Sequence, residues 1–233
     1  MDAGNGIAQR HGMSVLRSFF NRGQGEDQRE KPTLLSGPRV PRHSSGWSAL
    51  QKHLKAEQSL SLRVLDIGPT SPSNINHLTN LGHSVWMADV VHEAIKGDWE
   101  TPSEDGGEAA FDIDGFFEQN LNFSGREFDV VLLWTTLDYI PERLIAPLIE
   151  RLHHSLRPGG RILALFHTKR TGPETIFCRY HLTESEMIEM QESAPFPVRR
   201  VYTNRNIEKL FSAYSNYRFF LAKDNLYEVI ITR

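Results

Sequence analysis

The stretch VLDIGPTSPSNINHLTNLGHSVWMADV, residues 64–90, decides the fold. It contains two short apolar runs, separated by a polar loop and by a segment with apolar residues at helical spacing. This pattern predicts a strand over 62–67, a helix over 73–81 and a strand over 84–89. Two strands joined by a helix form a βαβ unit, in which both strands are parallel and end at the same edge. The sequence therefore predicts an α/β fold with a ligand-binding edge where these two strands end.

Two later segments predict strands that are covered on both faces. FDVVLLWT, residues 128–135, and RILALFHT, residues 161–168, are continuously apolar rather than alternating. Parallel strands with helices on both faces require such runs. Between them, residues 141–160 predict an amphipathic helix that stops at a Pro-Gly-Gly sequence and that Pro147 bends or splits.

The order of predicted elements changes after Thr168, where the strand at 161–168 ends. Thr183 and Glu186 have the spacing of a capping box, so residues 182–193 are predicted to form a helix. A second helix is predicted over residues 203–214, where apolar residues recur on one face.

The chain closes with two apolar runs around a short polar turn. Residues 217–223 and 226–233 flank Asp224 and Asn225, which favour a tight turn. This arrangement predicts an antiparallel hairpin at the end of the sheet.

The first 45 residues differ from the rest of the chain. Residues 1–45 are rich in Gly, Arg, Gln, Ser and Pro and are predicted to be disordered or weakly helical, with the folded domain at 46–233. Within them, residues 13–22 place four apolar side chains on one helical face. They form either a short amphipathic anchor for a membrane surface or partner, or a nascent helix without a partner.

Composition narrows the class of protein. The 233 residues, 39% apolar and 24% charged, suit one α/β domain. No apolar run reaches the length of a membrane helix, and no secretory signal is recognisable, so a cytoplasmic protein is expected. The single cysteine, Cys178, excludes an intrachain disulfide and a cysteine-rich zinc site, and no metal is expected. The net charge of residues 46–233 is −6, which argues against a nucleic-acid partner.

The order of elements and four motifs resemble the class I S-adenosylmethionine-dependent methyltransferases over residues 46–233. The motifs are VLDIG at the first strand, VWMADV at the second, NLNFSGREFDVVLLWTTLDYI around the fourth strand of the family, here 128–135, and LRPGGRILALFHT for its fifth, here 161–168. The resemblance implies a Rossmann-like, doubly wound, mostly parallel seven-stranded sheet with an antiparallel C-terminal hairpin. It also implies S-adenosylmethionine as cofactor and methyl transfer to an acceptor, which is expected to be a small molecule.

The resemblance further implies cofactor-binding roles for three residues at the ends of the first two strands. Asp66 reaches the amino group of the cofactor, and Gly68 lets the methionine and ribose portion approach because it has no Cβ. Asp89 accepts hydrogen bonds from the ribose hydroxyls. The alternative for both acids is a capping role, and for Gly68 a turn.

Three more cofactor contacts are implied around the fourth strand. Asn120 and Leu121 lie eight residues before it, where a polar side chain contacts the adenine amino group and the next N–H faces the ring. Asn122 and Asp114 compete with Asn120 for this role. Trp134 ends the strand and faces the methionine end of the cofactor, or else belongs to the core.

The loop after the first strand departs from the Gly-x-Gly-x-Gly pattern of the family. Gly68 is followed by Thr70 and Pro72 at the next two glycine positions. Ser71 is expected to cap the following helix, with Pro72 in its first position. This departure leaves open a catalytically inactive methyltransferase-like binding or scaffold protein. An NAD-dependent oxidoreductase is disfavoured because Gly-x-Gly-x-x-Gly is absent.

A general base is needed only when the methyl acceptor must lose a proton. The candidates beyond the fourth and fifth strands are Asp138, Tyr139, His167, Tyr180 and His181. His167 is the predicted catalytic residue because it ends a strand at the carboxyl edge, where ligands bind in open α/β sheets. A structural hydrogen-bonding role is its alternative. The sequence WTTLDYI replaces the Asn/Asp-Pro-Pro-aromatic tetrapeptide of enzymes that methylate nucleobase or glutamine nitrogens.

Overall fold

The computed structural model describes five segments of the chain: residues 37–57, 60–101, 110–172, 175–220 and 224–233. The prediction of an amphipathic anchor at residues 13–22 lies outside the described residues. Within the five segments, no helix is both long enough and apolar enough to cross a membrane.

The larger sheet has six strands in the described residues. In sheet order they are β10 (Asn216–Phe220), β11 (Leu226–Thr232), β7 (Leu156–His167), β6 (Phe128–Trp134), β2 (Arg63–Ile67) and β3 (Ser84–Ala88). Strands β7, β6, β2 and β3 are parallel neighbours, whereas β11 and β10 are antiparallel. This confirms the predicted mostly parallel sheet with its C-terminal hairpin.

The described sheet has one strand fewer than the seven that the resemblance implies. Between β3 and β6 lies a separate ribbon of two short strands, β4 (Glu100–Thr101) and β5 (Ala110–Phe111). Strands β4 and β5 pair with each other and not with β3, so in the described residues neither of them extends the larger sheet.

Helices cover both faces of the larger sheet, as the continuously apolar strands predict. They are α1 (Ser45–Ala56), α2 (Pro72–Asn80), α3 (Val90–Lys96), α4 (Ile113–Asn120), α5 (Thr136–Tyr139), α6 (Glu142–Ser155) and α7 (Asn204–Leu210). Helices α1 and α2 pack in one apolar cluster, and α3 to α7 pack in the other. Pro147 lies inside α6 and does not split it.

A second, smaller sheet contains three antiparallel strands in the order β1 (Val40–His43), β9 (Met187–Ala194) and β8 (Phe177–Leu182). The helix predicted over residues 182–193 is therefore wrong. Strand β9 pairs with a neighbour on each side, and these ladders override the local capping signal. Glu186 instead accepts a hydrogen bond from Ser48 on α1 (3.1 Å).

A buried ion pair ties β1 and the start of α1 to the larger sheet. Arg42 and Glu228 are 8% and 2% exposed, and their side chains hydrogen-bond to each other. Glu228 also accepts from the hydroxyl of Ser44 (3.1 Å) and from the backbone N–H of Gly46 (2.5 Å). Residues 40–45, assigned to the tail from the sequence, thus form part of the folded body.

Candidate functional site

Gly68 and Asp89 lie side by side at the carboxyl edge of the larger sheet. Strands β2 and β3 are parallel, with Ile67 opposite Ala88. Gly68 follows Ile67 and Asp89 follows Ala88, so each is the first residue after its strand. The strand register therefore places both residues where the βαβ pattern predicts a ligand edge.

Asp66 is buried, and both of its carboxylate oxygens are engaged by side chains. It is 1% exposed and accepts hydrogen bonds from Asn74 Nδ2 (2.7 Å) and from Trp134 Nε1 (2.6 Å). Burial raises the pKa of Asp66 to about 6, although the two hydrogen bonds act in the opposite direction. Its carboxylate therefore holds the loop and Trp134 together.

The loop after β2 enters α2 in the way that the sequence predicts. Ser71 is the N-cap, and its hydroxyl accepts the backbone N–H of Asn74 at 3.2 Å. Pro72 is the first residue of the helix, where a missing N–H leaves no bond unmade. Both predictions for the loop are confirmed.

Trp134 lies directly over Gly68. A Cβ placed on Gly68 would lie 3.1 Å from Cδ1 of the indole, which is tighter than ordinary van der Waals contact. The ring also stacks on Tyr180, with centroids 4.8 Å apart and an interplanar angle of 7°. Trp134 is only 3% exposed, so it belongs to the core, and its contact with the methionine end of the cofactor stays a prediction.

Strand β8 covers this loop from outside the larger sheet. Asn74 donates to the carbonyl of Tyr180 (3.1 Å) and accepts from the backbone N–H of Leu182 (2.7 Å). The hydroxyl of Ser71 lies 2.8 Å from Nδ1 of His181. Sequence reasoning missed this cover, because the sequence of β8 read alone contains no signal for its partner.

Asp89 is the N-cap of α3 and retains one oxygen for another contact. Its Oδ1 accepts the backbone N–H of His92 at 3.1 Å, and its other oxygen has no hydrogen bond within the described residues. Burial raises the pKa of Asp89, while His92 and the positive charge of Arg179 on β8 oppose this shift. The Nε of Arg179 is buried and has no hydrogen-bond partner in the described segments.

The site fits one half of S-adenosylmethionine and not the other. At the nucleoside end that the resemblance implies, Asp89 has one carboxylate oxygen that makes no hydrogen bond within the described residues. At the methionine end, Trp134 fills the space over Gly68. Both carboxylate oxygens of Asp66 accept hydrogen bonds, one from Asn74 and one from Trp134. In this conformation, the residues do not fit the methionine arm.

Asn120 and Leu121 lie at the C-terminal end of α4 and hydrogen-bond within that helix. The side chain of Asn120 donates to the carbonyl of Phe116 (2.9 Å), and the backbone N–H of Leu121 donates to the carbonyl of Phe117 (2.9 Å). Both residues belong to the last turn of α4, and Leu121 is fully buried in the core. The helix thus uses the N–H of Leu121 that the resemblance assigns to the adenine ring. The Oδ1 of Asn120, the atom that would accept from the adenine amino group, makes no hydrogen bond within the described residues, so the adenine contact of Asn120 stays a prediction.

His167 and Asp138 form a buried pair at the ends of β7 and α5. Asp138 Oδ2 accepts from both the backbone N–H and Nδ1 of His167, each at 2.7 Å. Burial raises the pKa of Asp138, against the hydrogen bonds and charge of His167. Nε2 of His167 is buried and has no hydrogen-bond partner among the described residues.

The comparisons with known proteins agree with this architecture. Residues 39–215 match the family model described as a methyltransferase domain. No curated protein matches the chain. The match confirms the predicted resemblance and S-adenosylmethionine as the cofactor of the family.

Several solved structures are similar to the chain at low identity. The 1,6-didemethyltoxoflavin-N1-methyltransferase of Burkholderia thailandensis, solved with S-adenosylhomocysteine, is 15% identical over 81% of this chain and 77% of that one (TM-score 0.41). An S-adenosylmethionine-dependent methyltransferase of Clostridium acetobutylicum is 12% identical over 82% and 92% (TM-score 0.44). The CcbJ methyltransferase of Streptomyces caelestis is 12% identical over 78% and 94% (TM-score 0.45). These TM-scores lie below 0.5 and carry no functional inference, but the family model spans most of the sequence, and the chain therefore belongs to the methyltransferase-domain family.

Proposed function

We propose that the protein is an S-adenosylmethionine-dependent methyltransferase that acts on a small-molecule acceptor. The observation that carries the proposal is the register that sets Gly68 beside Asp89 at the carboxyl ends of two adjacent parallel strands. Membership of the methyltransferase-domain family supports it independently. The acidic balance of residues 46–233 favours a small acceptor over a nucleic acid.

In this proposal, Asp89 binds the ribose of the cofactor with the oxygen that α3 does not use. The positive charge of Arg179 favours the carboxylate form of Asp89, which is the form that accepts two hydrogen bonds. Asp66 does not contact the ligand in this proposal. Its carboxylate accepts hydrogen bonds from Asn74 and Trp134 and orients these two side chains.

His167 is the proposed base for an acceptor that must lose a proton. Asp138 accepts from Nδ1, so the neutral imidazole carries its lone pair on Nε2, which has no other partner in the described part of the chain. Such a pair positions a proton acceptor at the strand end. The structural alternative remains, because Asp138 and His167 also join α5 to β7.

Asp89→Ala is expected to weaken binding of S-adenosylhomocysteine about tenfold, since one charge-assisted hydrogen bond is worth roughly 1.5 kcal/mol or more. The matched variant Asp89→Asn keeps an oxygen that caps α3 but loses the charge. Isothermal titration calorimetry of both variants separates the two roles. We expect both to bind more weakly and only Asp89→Ala to melt earlier. If Asp89→Asn bound S-adenosylhomocysteine as tightly as the wild type, the Asp89 carboxylate would not be the ribose-binding group.

A non-catalytic binding protein is the second candidate, and the indole over Gly68 is the observation that favours it. The two functions differ in whether a methyl group is transferred. Incubation with methyl-labelled S-adenosylmethionine and fractionated metabolites tests this directly. Label in a small-molecule fraction supports the enzyme, whereas calorimetric binding of the cofactor without any transfer supports the binding protein.

A further inference from the structure

The backbone of Trp134 adopts a conformation that large side chains rarely accept. Its φ is +48°, in the left-handed region that favours glycine. Such a conformation is strained and persists only where surrounding contacts hold it. Here the hydrogen bond to Asp66 and the stack on Tyr180 supply those contacts.

The indole uses the space that a bare glycine backbone creates. Gly68 has no Cβ, and the resemblance assigns the room above it to the cofactor. In the described conformation Trp134 occupies that room, because even a methyl group on Gly68 would meet its Cδ1 at 3.1 Å. A ligand atom over Gly68 and the indole in this place exclude each other.

The ribose side of the same edge is not filled in this way. Asp89 keeps one carboxylate oxygen without a hydrogen bond within the described segments. Burial raises the pKa of that acid, and the positive charge of Arg179 is among the effects that oppose the shift. The edge thus pairs an available polar end at Asp89 with a closed aromatic end at Trp134.

We infer that Trp134 is an internal occupant of the methionine-arm position, so that the folded site accepts a nucleoside and excludes the amino-acid arm until the indole leaves. The inference rests on the proposed function, since it takes Asp89 to bind ribose. It makes Trp134 the residue that sets the preference between adenosine and S-adenosylhomocysteine.

Calorimetric titration of adenosine and S-adenosylhomocysteine into the full chain tests the inference. Trp134→Gly removes the ring and suits the left-handed backbone, because glycine adopts it without strain. We expect this variant to bind S-adenosylhomocysteine at least tenfold more tightly than the wild type, with adenosine affinity changed less than threefold. Tyr180→Phe is the matched control: it keeps the indole, its hydrogen bond to Asp66 and the ring that stacks on it, so the preference should stay within threefold of the wild type.

A second variant guards against a folding defect in Trp134→Gly. Tyr180→Leu removes the stacking partner and leaves the indole in the chain, so it should also shift the preference toward S-adenosylhomocysteine. If the wild type already prefers S-adenosylhomocysteine tenfold and neither variant changes that ratio, the inference is overturned while the proposed function stands. If no form of the protein binds either ligand, both the inference and the proposed function fail.

Discussion

Arg42→Ala is expected to lower the free energy of unfolding by about 3 to 5 kcal/mol, the usual cost of removing one partner from a buried ion pair. Glu228, which is 2% exposed in the wild type, would then keep its negative charge with only the Ser44 hydroxyl and the Gly46 N–H as partners among the residues that the structure describes. Urea denaturation, followed by circular dichroism, measures the change.

The matched control is another arginine of the same segment. Arg39 pairs with Glu189 at 3.2 Å, but both side chains are more than one third exposed. Solvent screens such a pair, so Arg39→Ala should cost less than about 1 kcal/mol. The double variant Arg42→Ala/Glu228→Ala should lose less than the sum of the single variants, because it no longer buries an unpaired charge. Equal losses for Arg39→Ala and Arg42→Ala would show that β1 is not anchored as described.

The anchored segment also shows what sequence reasoning misses. Residues 40–43 have no apolar periodicity, so the sequence assigns them to the tail. Their place in the fold depends on a strand nearly 150 residues later, with Val40 opposite Met190. The same distant pairing turns residues 187–194 from the expected helix into β9, because two ladders outweigh a local capping pattern.

The candidate site likewise contains residues that the sequence places correctly and contacts that it does not predict. The positions of Asp66, Gly68 and Asp89 follow from strand ends, which hydrophobic runs mark well, so the sequence places them correctly at the edge. The stack of Trp134 on Tyr180 cannot be predicted from either residue, because it depends on how β8 folds back over α2. What binds at an edge therefore depends on contacts that local patterns do not encode.

Asp66→Asn is expected to become more stable relative to the wild type by about 2 to 3 kcal/mol as the pH rises from 4 to 7. The pKa of Asp66 is raised from 3.8 to about 6, so the folded state holds the proton more tightly than the unfolded state does. Stability from this group is complete below pH 3.8 and is lost as the pH rises through 6. Roughly two pKa units correspond to about 3 kcal/mol, most of which falls within this range. The amide of Asp66→Asn does not titrate, so the stability of this variant does not fall through this group as the pH rises.

Urea denaturation of both proteins at pH 4, 5, 6 and 7 gives this difference directly, and Asp138 cancels because both proteins retain it. Asp224→Asn provides a control of opposite sign. Burial alone would raise the pKa of Asp224, but hydrogen bonding and charge from Arg42 outweigh it and lower that pKa. Its stabilising effect is lost only as the pH falls below the ordinary range of aspartate, so its difference from the wild type should not rise between pH 4 and 7. If the difference in free energy of unfolding between Asp66→Asn and the wild type also stayed constant from pH 4 to 7, Asp66 would be accessible to water and Trp134 would not cover it.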